Sequence, residues 1–444
     1  MNLRGFQVII PNLILRRICF LSILLIPLTE GVSQDFTWTL QNSGTYQWLN
    51  DIHFTDPLNG RATGTNGTII TTADGGENWS LQSSGTDQEL HSVYFINPDT
   101  GWIAGGSSSP VLLKTTDGGN SWSPIPFDID GVTYLRKIQF ADPMNGFAID
   151  TTDIFRTFDG GLTWEKASYS SLIAKVLALG DLHVISDSEA FVCGVYRNKS
   201  NEVLPGIFEN LTLPEGGWLP QGLGELNTED FLTAIHFTAT RKGFSGSSKG
   251  RIYSMQQEGE IFPAPWALDV ETENGAVQSI AFSTYLHGMF SVEDVNGGVT
   301  DQLIYHTADS GASWSTVPDT IFGLQKATLS APDVNHAWIA GNNGIIYKGV
   351  RNDPVSASVL RPLELSIMPN PFDSEIVIRS PVSLRSAVYE LFDYTGRRVR
   401  SGRLDGGDGT HTINGLESLN TGVYFLRISH RNRGFTTTKK ILRN

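Results

Sequence analysis

Four segments of this sequence are near copies of one another, and an internal copy narrows the choice of fold more than composition can. Residues 71–79 read TTADGGENW, 115–122 TTDGGNSW, 157–164 TFDGGLTW and 307–314 TADSGASW. Upstream of each lies a β-type run ending in Ile or Val, any residue, then Phe, at 52–54, 93–95, 138–140 and 280–282. A fifth such run, 235–237, has no sharp Asp-Gly-Gly turn behind it. The Phe is followed by a turn such as DPLNG at 56–60 or DPMNG at 142–146. The unit therefore reads strand, turn, strand, turn, strand, Asp-Gly turn, Trp strand. Four antiparallel strands in about 40–50 residues make one β-propeller blade.

The tryptophans count the blades. Trp38, Trp79, Trp122, Trp164, Trp218, Trp266 and Trp314 follow at intervals of 41, 43, 42, 54, 48 and 48. Trp48, Trp102 and Trp338 stand off this ladder. The turn before Trp218 has decayed, and the one before Trp266 is lost. The last repeat, residues 337–347, stops without an Asp-Gly turn or a Trp strand. The missing strand is at the other end, where WTLQNSGT at 38–45 copies WSLQSSGT at 79–86. An N-terminal strand that completes the last blade leaves no open sheet edge. The expectation is an all-β chain: a seven-bladed propeller over residues 34–350, followed by a small Ig-like β-sandwich.

The Asp-Gly turns resemble the Asp-box, or bacterial neuraminidase repeat. Asp74, Asp117, Asp159 and Asp309 match its Asp; Gly76, Gly119, Gly161 and Gly311 match its Gly; Trp79, Trp122, Trp164 and Trp314 follow at the family's distance. The whole-blade pattern is most similar to the photosystem II assembly and stability factor propellers. That family is described as using an arginine patch. This ring holds six arginines (61, 136, 156, 197, 241 and 251), so the resemblance implies the fold and not a photosystem role. In an Asp-box the Asp caps its own turn, Gly supplies positive φ and Trp packs between blades, which makes the motif structural rather than catalytic.

Charge and leader set the compartment. Residues 34–350 hold 15 Lys+Arg against 36 Asp+Glu, a balance of −21, which repels phosphate backbones and argues against a nucleic-acid partner. Residues 363–444 hold 12 against 8, a balance of +4, so a boundary is expected at a linker over 351–362. Residues 1–33 have the shape of a signal peptide. Arg4, Arg16 and Arg17 precede an apolar stretch at 18–28, and the small Gly31 and Ser33 flank Val32 at a cleavage site. Eleven helical residues span about 16 Å, too short for a bilayer, and no later segment is long enough for a transmembrane span. Cys19 lies in the leader, leaving Cys193 without a disulfide partner; its apolar neighbours make it a small core residue.

Beyond the linker, strands are expected at 375–379, 387–393, 398–403, 422–429 and 436–442. Four motifs resemble the type A sorting domain of the type IX secretion system: MPNPF at 368–372, YELFDYTGRRV at 389–399, LNTGVYFLRI at 419–428 and KKILRN at 439–444. Pro369, Asn370, Pro371, Gly396, Gly422, Tyr424 and Lys440 carry the match over 363–444. The resemblance implies a member of the Bacteroidota, Sec export, passage across the outer membrane by the type IX machinery, and removal of the domain by its sortase near the linker. The passenger is then released or attached to surface lipopolysaccharide.

These features point to a secreted or cell-surface, non-catalytic binding module for a protein or glycan, with no cofactor and no metal. The alternative is an extracellular glycoside hydrolase of the Asp-box type. The ring's arginines lack the Arg-Ile-Pro signature of sialidases, whereas a two-carboxylate site is not picked out by spacing. Oxygen-rich stretches at 269–275 and 293–297 read as solvated loops in preference to calcium sites, because neither has a full EF-type register. The expected binding face gathers the connections from one outer strand to the next inner strand: Tyr46, His91, Tyr134, Arg136 and Phe231, beside Glu89 and Trp48, though Trp48 shares its parity with Ile52 and Phe54 and reads rather as packing between blades.

Overall fold

The computed structural model describes residues 36–443, except 212–216, 221–229, 239–241, 256–265, 273–274, 297–298, 318–320, 322, 353–365, 381–383, 385–386, 394–397, 405–409 and 431–434. The expected leader thus lies outside the described residues.

Seven four-stranded antiparallel sheets follow one another. Blade one is Leu49–Phe54, Gly60–Gly64, Ile69–Thr72 and Ser80–Gln82. The innermost strands of the next six are Leu90–Phe95, Lys137–Phe140, Ile173–Ser186, Leu232–Phe237, Val277–Phe282 and Thr328–Ser330. Each packs on the innermost strand of the next blade, and Leu49–Phe54 packs on Thr328–Ser330, which closes the ring. The outer strand of blade seven is Phe36–Gln41, paired antiparallel with Ile346–Arg351.

One aromatic layer joins the blades. The Phe that ends an inner strand stacks on the large side chain at the second-strand start of the preceding blade. Phe54 lies 3.7 Å from Trp338, Phe140 3.7 Å from Trp102, Phe237 3.9 Å from Phe191 and Phe282 4.5 Å from Phe244. In blade one that place is taken by Arg61, whose guanidinium lies 4.4 Å over Phe95. Each Phe also meets the edge of its own blade's ladder Trp, as Phe54 does Trp79 and Phe237 does Trp266. So Trp102 and Trp338, which stand off the ladder in sequence, are the stacking partners between blades.

The Phe dictates the Gly opposite it. A Cβ on Gly60, Gly101, Gly146, Gly243 or Gly288 would fall 2.3–2.7 Å from the ring of the paired Phe. Blade four carries Val184 in place of Phe, and its partner is Ala190. The space needed by the ring sets the residue opposite.

The Asp-Gly turns are anchored at both ends. Thr72 Oγ1 donates to Asp74 Oδ1 (2.8 Å) and accepts from Gly76 N (2.9 Å), while Asp74 Oδ1 also accepts from Asn78 N. Thr115, Thr157 and Thr307 repeat this with Asp117, Asp159 and Asp309. Hydrogen bonds led by the Asn78, Ser121 and Thr163 side chains pull the Asp74, Asp117 and Asp159 carboxyls down to about 2. Gly76, Gly119, Gly161 and Gly311 sit at φ +88, +88, +95 and +77°. A cation of the preceding blade reaches a carbonyl of several of these turns: Arg61 to Gly118 (2.7 Å), Lys114 to Gly160 (3.2 Å) and Lys242 to Ser310 (2.7 Å).

After residue 365 come a three-stranded sheet (Ser366–Met368, Ile376–Arg379, Thr410–Ile413) and a four-stranded one (Ala387–Asp393, Arg398–Leu404, Gly422–His430, Phe435–Arg443). Phe372, Ile378, Tyr389, Leu391, Leu426 and Ile428 share their core. Asn370 Oδ1 accepts from Leu442 N (2.8 Å), which ties the Pro369–Asn370–Pro371 turn to the final strand. Tyr424 is buried and donates to Asn420 O (2.7 Å), and Gly422 opens its strand. Lys440 pairs through its backbone with Phe425; Gly396 lies outside the described residues.

Candidate binding face

The connections into the inner strands lie beside the turns between second and third strands. Thr65 N bonds Trp48 O, and Gln47 Oε1 accepts from Thr65 Oγ1 and Asn66 Nδ2. Gln88 meets Ser107 in the same way one blade on. Two blades rise above this level. In blade four the pairing continues past Leu179–Gly194 to Ile173–Asn198, and in blade six past Val277–Val292 to Asn296–Val299. Blade five, between them, turns at once through Ser248 and Gly250. Glu293 and Asp294 are therefore paired strand residues opposite Gln302 and Asp301, and Asp269 lies in Trp266–Glu271. Residues 269–271 and 293–296 are thus strand where loops were expected, Thr272 and Gly275 are not in strands, and 273–274 and 297 lie outside the described residues.

The expected face residues fall into two kinds. Tyr46 is 91% exposed, and no hydrogen bond or ring contact engages it among the described residues. Trp48 is half-buried with Lys326 Nζ 5.5 Å from its ring centre. His91 Nε2 lies 2.9 Å from Gly106 O, and its ring is 5.6 Å from that of Tyr134. Burial lowers the His91 pKa, with Arg136 and Lys326 adding in the same direction. The Tyr134 hydroxyl bonds Thr151 Oγ1. Arg136 is exposed, yet its Nε donates to Gly180 O (3.0 Å), and Phe231 N donates to Ser248 Oγ. Among the described residues the side chains of His91, Tyr134 and Arg136 are engaged by the scaffold, whereas no hydrogen bond or ring contact engages those of Tyr46 and Phe231.

Beneath this face a polar column ties the blades. Each member lies three residues before the inner-strand Phe position. Asp51 Oδ2 accepts from Val93 N and from Lys137 Nζ (3.0 Å), and Asp51 Oδ1 accepts from Thr328 Oγ1. Ser92, Asp181 and Ser279 accept the amides of Ile138, Ile235 and Leu329. Burial raises the Asp181 pKa against the pull of Lys137, while Asp51 helps hold Lys137 charged. His53, His183 and His236 lie two residues further on, immediately before the Phe position, with the last two rings 4.5 Å apart. The sequence reading missed this column, although aligning the repeats on Phe exposes it as a run of polar residues. Cys193 is buried against Leu232 O, and burial pushes its thiol up.

Ring closure, seven four-stranded blades and a second β-domain define the class: a seven-bladed β-propeller joined to a small β-sandwich. Residues 31–131 match the family model described as photosynthesis system II assembly factor YCF48, and residues 366–444 match the secretion system C-terminal sorting domain. The chain thus carries a YCF48-like repeat domain and a type IX sorting domain, and the latter directs it to the cell surface or the extracellular space. The photosystem II assembly lipoprotein Ycf48 of Synechococcus sp. (strain CC9902) is 25% identical over 325 residues, 68% of this chain and 85% of that protein. The solved structure of YCF48 bound to a D1 peptide covers 71% of this chain and 97% of its own, at 21% identity and TM-score 0.53. PorZ, a surface component of the type IX secretion system of Porphyromonas gingivalis, covers 89% of this chain and 59% of its own, at 13% identity and TM-score 0.50.

Proposed function

We propose that the mature protein, from residue 34 on, is a non-catalytic binding module that works outside the cell. It leaves by way of the signal peptide at 1–33 and the sorting domain at 363–444, with the linker at 351–362 as the site of cleavage. Its ligand docks on the face around Tyr46, beside Trp48, His91, Tyr134, Arg136 and Phe231, with the raised hairpins of blades four and six as walls.

The carrying observation is Tyr46. Tyr46 is a large aromatic at 91% exposure on this face, and aromatic side chains are enriched where partners bind. The polar groups around it suit an extended peptide or a glycan. The YCF48 structure solved with a D1 peptide favours a peptide.

Peptide and glycan arrays probed with the mature chain identify the ligand class. Tyr46→Ala is then expected to weaken binding of the best hit at least about tenfold, as a hot spot does, at unchanged melting temperature. Unaltered affinity removes this face from the site.

A further inference from the structure

Two seams of the ring are built from corresponding residues, and one of them lacks a ring that the other has. Phe155 of blade three and Tyr305 of blade six stand two residues before the Thr of their Asp-Gly turns, and Trp164 and Trp314 follow those turns. Where blade two meets blade three, its outer part reaches over this aromatic pair. Phe127 is 9% exposed, with its ring 5.2 Å from that of Phe155 and 5.6 Å from that of Trp164. Ile125 beside it would lie 3.1 Å from a Cβ on Gly161.

Where blade five meets blade six, the outer strand Trp266–Glu271 contributes Leu268 and Val270 but no aromatic after Trp266. A cleft of about 590 Å³ remains, lined by Lys242, Met255, Leu268, Val270, Tyr305 and Trp314. Phe290 backs Tyr305 and Trp314 from within blade six, at 4.7 and 4.8 Å, so both rings are held in place behind the cleft. Lys242 Nζ is engaged by Ser310 O (2.7 Å), and Ser313 Oγ donates to Asp309 Oδ2 (2.6 Å). The walls left to a ligand are therefore the apolar and aromatic ones, with a polar rim at Asp269 and Ser313. A ring carried on a peptide main chain suits both parts, because the side chain takes the walls and the backbone meets the rim.

We propose that this cleft is a docking site for an aromatic side chain of a partner polypeptide, seated on Tyr305 and Trp314 as Phe127 is seated on Phe155 and Trp164. The chain carries the occupied form of the site within itself, one seam being filled by its own residue and the other left for a partner's. The cleft lies at the Asp-Gly turn end of the blades, opposite the connections around Tyr46, and is a second site distinct from that face.

The test titrates the nitrogen-15-labelled mature full chain with the peptide acetyl-Ser-Pro-Ile-Pro-Phe-amide, the sequence of residues 123–127, and follows the tryptophan indole N–H signals by NMR. The Trp314 signal is expected to move along a saturating curve with half-saturation at about 1 mM, the scale of a single side-chain anchor, while that of Trp164 stays in place. The same peptide with Ala in place of Phe is expected to leave Trp314 unmoved, and Leu268→Arg to weaken binding at least about tenfold. Tyr46→Ala should change nothing here. No movement of the Trp314 signal up to about 10 mM peptide, an equal response to the Ala peptide, or undiminished binding by Leu268→Arg overturns the proposal. Should that variant not fold, Ala312→Trp, which narrows the cleft from an exposed turn position, takes its place with the same expectation.

Discussion

The rings of Phe54 and Trp338 lie 3.7 Å apart and 13° from parallel, one from the first complete blade and the other from the last. Trp338 Nε1 also reaches Gly75 O (3.3 Å) in the first Asp-Gly turn. The contact that joins the ends of the ring thus uses the same stack and the same turn as the contacts within it. Closure adds no new chemistry; it repeats the blade interface once more.

That repeated interface is sterically exacting. A methyl on Gly146 would sit 2.5 Å from the Phe140 ring. Gly146→Ala is expected to destabilise by about 1–3 kcal/mol through overpacking. Adding Phe140→Val, which recreates the Val184–Ala190 pair of blade four, should recover part of the loss. Urea unfolding of the double-mutant cycle measures the coupling, and strictly additive effects would contradict the steric account.

The inner histidines make the ring acid-sensitive. Burial holds His53 and His183 down to about 4, and burial with help from His183 pushes His236 well below its ordinary value. Unfolded histidines take up protons near pH 6.5, which the ring refuses until about 4. Between those values the unfolded chain binds more protons, so stability present above pH 6.5 is lost as pH falls towards 4. His53 and His183 each account for roughly 3 kcal/mol of that loss. Asp181, raised by burial, works in the opposite direction, so the check compares variants. The unfolding free energy of His183→Phe should fall less between pH 7 and pH 5 than that of the wild type; parallel pH profiles would refute this.

Removing residues 34–45 deletes the outer strand of blade seven and with it the buried Phe36. The exposed edge of Ile346–Arg351 and the lost apolar burial should cost at least about 3 kcal/mol. Calorimetry is expected to show a lower, broader melt. An unchanged transition would mean that the strand pairing contributes nothing to the ring.

The sequence alone determined whatever repeats. Copies of the Asp-Gly turn, the run ending in Phe and the Trp ladder are local signals, and their near-constant spacing forces equal blades. Four consecutive C-terminal motifs, likewise local, identify the sorting domain. Tertiary structure decided what depends on neighbours one blade away. Arg61 reads as an isolated cation until its guanidinium is found over Phe95, and Asp51 reads as one acid among 36 until Val93, Lys137 and Thr328 converge on it. His91, Tyr134 and Arg136 read as free ligand contacts, but the fold engages all three and leaves Tyr46 exposed. The reason is geometric. Strand periodicity tells which face of its own sheet a residue takes, whereas its partner belongs to another sheet about 40 or more positions away, and only ring closure brings the two together.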